Sequence, residues 1–453
     1  MAQVPPLYAH QLVSVNAFKA STIGFDASDP GTGKTRVQIE LFSLRRTRGG
    51  GCALIIAPKS LLRSAWEEDL RKFAPHLKTS VCPAAGRERR FAEHADVYIT
   101  NTDAAIWLAK QKPEFFKKFD TLVIDEISYF KHRTSARSKA INKIKKYFHH
   151  RYGLTGTPNA NGIADIWHQV YILDDGARLG KSFWQFRASV CTPVQIGPMP
   201  NMLKWVDKPN IELVVGKLIQ DIAVRHKFEE CLDIPDNHQY SVPYHLSPAQ
   251  QIHYMGMEKQ ALIEIGKETV TAVNAAGVIQ KLLQIASGAA YTEGGGYALV
   301  DTGRYELVAD LVEQRPHTVV FFNWTHQRDE LVREFEKRGL TFVVVDGNVS
   351  DNDRARAVAD FQAGFYRVFL AHPQSAAHGL TLVKGTGTIW ASPTYNLEHF
   401  LQGNRRIYRA GQTEKTETIV VIASGTIEEK VLERLTEKDA KQSSLLEILK
   451  DMK

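Results

Sequence analysis

Short, uniformly apolar runs rich in β-branched residues recur along this chain, and stretches of helical periodicity separate them. "CALIIAP" (52–58), "VYIT" (97–100), "TLVIDE" (121–126) and "YGLTGTP" (152–158) lie in the first part. "TVVFFN" (318–323), "TFVVVDG" (341–347), "RVFLA" (367–371), "GTIWA" (387–391) and "TIVVIA" (418–423) lie in the last. A strand that is apolar at consecutive positions must be covered on both faces, and a parallel sheet wrapped by helices does this. "SLLRSAWEEDLRKF" carries its apolar residues at helical spacing. "HQRDELVREFEKRG" stops at Gly339, and Ser350 with Asp353 and Thr426 with Glu429 fit capped helix starts. The pattern predicts an α/β fold with two doubly wound parallel-sheet lobes, residues 1–175 and 296–453. The stretch 176–295 has no comparable strand run. "AQQIHYMGMEKQALIEIGKE" and "AVNAAGVIQKLLQIASGAA" read as helices, and breaks such as "CTPVQIGPMP" divide them. It is expected to be a mostly helical insertion.

At 453 residues the chain is long enough for two or three domains. Its net charge of +7 favours anionic partners only weakly. Four cysteines, none in a C-x-x-C pair, argue against a zinc site or disulfide framework and fit a reducing compartment. The first residues carry no secretory pattern, and no apolar run approaches the roughly 18 residues of a membrane span. A soluble, intracellular monomer is expected, with no membrane association.

Three segments carry chemistry. "SDPGTGKT" (28–35) nearly matches the phosphate-loop pattern G-x-x-x-x-G-K-[ST], with Ser28 in place of the first glycine. Gly31 and Gly33 let backbone amides approach phosphate oxygens, Lys34 suits the β- and γ-phosphates, and the Thr35 hydroxyl suits Mg²⁺. "TLVIDEISYF" ends an apolar strand on Asp125 and Glu126, about 90 residues further on. Asp125 suits Mg²⁺ and Glu126 suits a base that polarises water. "QGNRRIYRAGQ" (402–412) spaces Arg406 and Arg409 three apart, on one face if helical, and guanidinium forks suit a transferring phosphoryl group. Alone, these segments also read as a turn that binds nothing, two solvated acids and a basic surface helix. Together they describe a split ATPase site, with loop and acids from one lobe and arginines from the other.

With further segments, the set resembles superfamily 2 helicase-type motors, most closely the Swi/Snf-type DNA translocases. "LYAHQ" resembles the Q motif, "DPGTGKT" motif I, "IIAPKSLLRSAWEEDL" motif Ia, "DEISYFKHRTSARSKA" motif II and "LTGTPNANGIADIW" motif III. "VVFFNWTHQRDEL" resembles motif IV, "DGNVSDNDR" the segment after it, "SAAHGLTL" motif V, "QGNRRIYRAGQ" motif VI and "GTIEEKVLERLTEK" the closing helix. The resemblance covers roughly residues 7 to 440. Departures are Ile127 and Ser128 for the usual Ala-His, His132 for asparagine, Arg405 for an acid, and "WASPTYNLEH" before motif VI. None removes a group essential to hydrolysis.

The resemblance implies RecA-like lobes that bind ATP and Mg²⁺. Gln11 would sit at the adenine, and Gly31, Thr32, Gly33, Lys34 and Thr35 at the phosphates. Thr35 and Asp125 would hold the metal, with Glu126 as base. Gln402, Arg406 and Arg409 would serve the reaction from the second lobe. Double-stranded DNA is the implied, sequence-independent partner. Its implied contacts are Lys59, Ser60, Thr100 and Asn101 in the first lobe, and Asn323, Trp324, Asn348 and Ser375 in the second. "VRHK" (224–227) resembles a basic stretch leading out of the first lobe that touches duplex or phosphate. "RRTR" (45–48) and "KIKK" (143–146) read as solvated faces. The expected function is an ATP-driven DNA translocase of replication, repair or recombination, in the cytoplasm of a bacterial or phage-infected cell. Two alternatives stay open: a strand-separating or branch-migrating helicase, and an ATP-switched nucleic-acid-binding protein without turnover.

Overall fold

The computed structural model describes residues 4–195, 202–231, 233–267, 272–291, 296–376 and 380–451. The middle of the expected motif V, 377–379, and part of "CTPVQIGPMP" lie outside the described residues. By contacts the chain divides into two units: Met1–Val194 with Lys204–Asp233 and Lys438–Lys453, and Gln195–Leu203 with Ile234–Glu437. The stretch 176–295 is thus shared between them.

The first unit is built on β1 (Ile23–Asp26), β2 (Cys52–Ala57), β3 (Thr79–Val81), β4 (Val97–Asn101), β5 (Phe119–Asp125), β6 (His150–Leu154) and β7 (Ala223–Val224). Every pairing is parallel, in the order β3-β4-β2-β5-β6-β1-β7. The alternation of side chains explains the apolar runs. Leu54, Ile56, Leu122 and Ile124 enter one core, while Ala53, Ile55, Ile99 and Val123 enter the other. β1 escapes hydropathy reading because it is short and contains Gly24. A Cβ there would lie 2.7 Å from the Phe18 and Tyr152 rings, so the glycine lets helix α1 (Ala9–Lys19) settle against the strand.

The second unit holds β8 (Asn237–Tyr244), β9 (Thr318–Phe321), β10 (Phe342–Val345), β11 (Val368–Ala371), β12 (Gly387–Trp390) and β13 (Thr416–Ala423). The order is β8-β13-β12-β9-β11-β10, again all parallel. The five apolar runs of the last part are β9 to β13. β8 falls in the stretch expected to be mostly helical. It pairs with β13 over all eight of its residues. It is polar, largely exposed and contains Pro243, which an edge strand tolerates. It therefore has no apolar signature, and tertiary pairing alone makes it a strand.

Candidate functional site

The loop between β1 and helix α2 (Lys34–Arg46) sits at the C-terminal edge of the first sheet, where α/β sheets take ligands. Gly31 and Gly33 have φ of 90° and 82°. The positive φ disfavours a side chain at Gly33, and a Cβ there, 2.2 Å from the Gln11 amide nitrogen, would push that amide aside. The Lys34 ammonium donates to the carbonyls of Ser28 (2.7 Å) and Asp29 (3.1 Å). Gln11 donates to the carbonyl of the buried Thr32 at 3.3 Å, and its own Oε1 accepts from the Tyr8 N–H. Gln11 thus braces the loop from α1. Thr35 follows in the first turn of α2 and is half-buried.

Asp125 ends β5, buried, with Glu126 next to it in the left-handed region at φ 50°. A non-glycine residue there is strained, and such strain gathers at working sites. One Asp125 oxygen accepts the Trp66 indole N–H at 2.8 Å and the other the Glu126 N–H at 3.0 Å. Burial pushes the Asp125 carboxyl above the usual carboxylate range, opposed by the Trp66 bond and the nearby Lys34 charge. Trp66 reaches this position from a π-helical turn, Leu62–Glu67; such turns often mark functional sites. Trp66 falls in the segment that resembles motif Ia, but nothing in the sequence links it to Asp125. Thr155, at the end of β6, donates its hydroxyl toward Glu126 at 3.4 Å. Gly156 lets the loop come close, because a Cβ there would lie 2.7 Å from the Pro30 ring. The described residues contain no group of three or more His, Cys, Asp or Glu placed to hold a metal ion. The oxygens of Thr35 and Asp125 are nevertheless hard donors of the kind Mg²⁺ takes, with water and phosphate completing its shell.

Helix α3 (Thr325–Lys337) and helix α4 (Leu397–Asn404) frame the second unit's candidates. α4 lies directly on the sheet: a Cβ on Gly403 would meet Trp390 at 2.8 Å and Phe321 at 3.0 Å. Asn404 accepts the Trp390 indole N–H. This anchoring fixes the arginines that follow. Arg406 is buried, donating to the carbonyls of Gln402 (2.7 Å) and Leu380 (3.2 Å), and Arg409 donates to the same Leu380 carbonyl at 2.9 Å. The two guanidinium groups therefore converge. Gln402 is buried as well, its amide turned toward Glu398.

The nucleic-acid candidates differ in what they offer. Lys59 is exposed and Ser60 and Asn101 are half-buried. Thr100 is fully buried with its hydroxyl bonded to the Cys82 carbonyl. Its side chain has no surface for a phosphate, which removes it from the expected interface. Asn101 accepts from Arg87 at 2.8 Å. Asn323 spends its amide N–H groups on Ser392 and Pro393 carbonyls and the Ser392 hydroxyl. Trp324 is half-buried beside it, and both line a cavity of about 490 Å³ with Tyr395, Asn396, Glu428 and Arg434. Asn348 is exposed and Ser375 half-buried. Two cations of the basic stretches turn inward instead. Arg225 pairs with Asp29 at 2.7 Å with a 6% exposed side chain. Lys145 is buried against Tyr171 and pairs with Asp175. Neither is presented to a duplex, and the "KIKK" run is not a wholly solvated face. No helix among the described residues is long and apolar enough to cross a membrane.

The SNF2-related domain family matches residues 19–287, and the helicase conserved C-terminal domain matches residues 303–411. A phage protein from an Acyrthosiphon pisum secondary endosymbiont, named putative protein p41, is 28% identical over 88% of this chain and 88% of its own length. The Danio rerio chromodomain-helicase-DNA-binding protein 1-like is 23% identical over 90% of this chain, which spans only 40% of that protein. The solved Sulfolobus solfataricus SWI2/SNF2 ATPase core in complex with dsDNA covers 98% of this chain at 23% identity, with 95% of its own length covered and a TM-score of 0.46. The chain belongs to the SNF2-related family of helicase-type ATPases.

Proposed function

We propose that this chain hydrolyses ATP at the Lys34 loop and uses the cycle to move along double-stranded DNA, as a translocase of replication, repair or recombination. The observation that carries the reading is the gathering of Lys34, Asp125, Glu126 and Thr155 at one sheet edge, with Gln11 and Trp66 bracing loop and acid. Lys34 would exchange its two loop carbonyls for phosphate oxygens. Glu126, held by strained backbone and the Thr155 hydroxyl, would orient and deprotonate the attacking water. Thr35 and Asp125 would hold Mg²⁺, which offsets the phosphate charge. Arg406 and Arg409 would stabilise charge on the transferring phosphoryl group, with Gln402 setting the Arg406 guanidinium. Lys59, Ser60, Asn101, Asn348 and Ser375 would meet DNA phosphate and sugar, a sequence-independent grip. Asn323 and Trp324 would lie at the edge of the same surface.

Phosphate release with no DNA, duplex, single-stranded and branched DNA tests the reading. Duplex stimulation with third-strand displacement, and no opening of a forked duplex, is expected. Fork opening would identify a strand-separating helicase, and absence of turnover on every DNA would identify an ATP-switched binder.

A further inference from the structure

Ser28 stands where the phosphate-loop pattern has its first glycine, and it is 1% exposed. Its hydroxyl accepts the His226 backbone N–H at 3.0 Å. The next residue, Asp29, donates its own N–H to the His226 carbonyl at 3.0 Å. The Asp29 carboxylate accepts the Phe228 N–H at 2.9 Å and pairs with Arg225 at 2.7 Å. Two consecutive loop residues are thus bonded at four points to residues 225–228, about 200 positions later in the chain. From the other side, the His10 ring nitrogen lies 2.7 Å from the Thr32 carbonyl and the His226 ring nitrogen 2.8 Å from the Ser14 hydroxyl. The two imidazoles meet edge to face at 5.4 Å.

The same two residues also hold the lysine, since Lys34 donates to the carbonyls of Ser28 and Asp29. A phosphate that draws the ammonium away therefore acts on the peptides whose other groups grip residues 225–228. That segment directly follows β7 and leads to Asp233, where the first unit gives way to Ile234 of the second. Glycine at position 28 would offer no side-chain oxygen to the His226 N–H.

We propose that Ser28 and Asp29 are positioning residues that lock the phosphate loop to Arg225–Phe228, so that occupancy of the loop is transmitted to the segment through which the chain leaves the first lobe. The departure from the glycine pattern is thereby a working feature. The inference rests on the reading of the Lys34 loop as a nucleotide site.

Ser28→Gly, which restores the strict pattern, is the direct test. Binding of a fluorescent ADP analogue with Mg²⁺, and amide hydrogen exchange across residues 225–231 with and without that nucleotide, are measured for the full chain and for Ser28→Gly, Asp29→Asn and Lys34→Ala. Ser28→Gly should weaken the nucleotide about fivefold, the worth of one net hydrogen bond. It should also speed exchange of the His226 amide and abolish the nucleotide-dependent change at 225–228, with a small drop in melting temperature from the lost hydrogen bond. Should Ser28→Gly fold poorly, Asp29→Asn reads the same lock, because its single amide oxygen cannot hold both the Phe228 N–H and Arg225. Wild-type nucleotide affinity and an unchanged exchange response in the folded variants would overturn the proposal. Lys34→Ala separates the two readings. If it alone loses nucleotide, the site stands and the lock falls; if it keeps wild-type affinity, the site reading falls first and the lock with it.

Discussion

Each lobe contains a parallel strand that turns directly into a helix, and the two turns have opposite chemistry. In the first lobe β1 leads through two left-handed glycines into α2, whose cap, Gly33, makes no side-chain hydrogen bond. In the second, β9 leads through Asn323 and Trp324 into α3, and Gln327 reaches back to accept both of their N–H groups, at 2.8 and 3.3 Å. The Gln327 amide then donates to Ser392, which also accepts from Asn323. One junction spends its ammonium on two loop carbonyls, which in the proposed function a phosphate replaces; the other spends its first N–H groups on a glutamine side chain. Equivalent topology thus carries the proposed binding site in one lobe and a structural lock in the other, because a few side chains decide where a helix's first amides are spent.

The contrast breaks most readily at Lys34. Lys34→Ala or Glu126→Gln should lower ATP turnover by about 10²–10⁴-fold, the range for removing such groups, with the melting profile kept. Wild-type DNA-stimulated phosphate release by either variant would sink the first half of the comparison. Substitutions in the second lobe's internal packing, away from Arg406 and Arg409, should be read as stability. Glu428→Ala leaves the fully buried Arg304 without its 2.9 Å ion-pair partner and frees the Ala423 N–H. It should cost about 3–5 kcal/mol in denaturant unfolding. Gln327→Ala strands two amides and should cost about 1–3 kcal/mol, while ADP affinity stays unchanged. A loss of ADP affinity there would show that the second junction is also a nucleotide site.

Smaller effects sharpen the picture within the first lobe. Burial already raises the Asp125 carboxyl, and the Trp66 indole holds it down. Trp66→Phe removes that restraint, so the proton is kept to higher pH. A metal ligand must be deprotonated, so the acid limb of Mg²⁺-dependent ADP binding should move to higher pH. No movement between the two profiles would refute the coupling. Ser128 is one of the departures from motif II, and its hydroxyl is buried with no hydrogen-bond partner among the described residues. Ser128→Ala should therefore change stability by less than about 0.5 kcal/mol or raise it slightly; a larger loss in a thermal melt would show a bonded hydroxyl.

The apolar runs sufficed to predict two helix-covered parallel sheets, because a strand buried on both faces must be apolar at consecutive positions, and that requirement is local. The helix stop at Gly339 and the Ser350 cap were equally legible: Gly339 takes φ 67° and the Ser350 hydroxyl accepts the Asp353 N–H. Lys34, Asp125 and Glu126 stand out by residue type alone, and the structure gathers them at one sheet edge. Tertiary structure alone decided the rest. β8 is a strand only because β13 offers it an edge, Thr100 is lost to the interior, and Trp66 finds Asp125 through a π-helical turn. Ser28 finds its partner about 200 residues away. These are hydrogen bonds between distant segments, and a donor's partner is set by how the chain folds back on itself, which no local periodicity encodes.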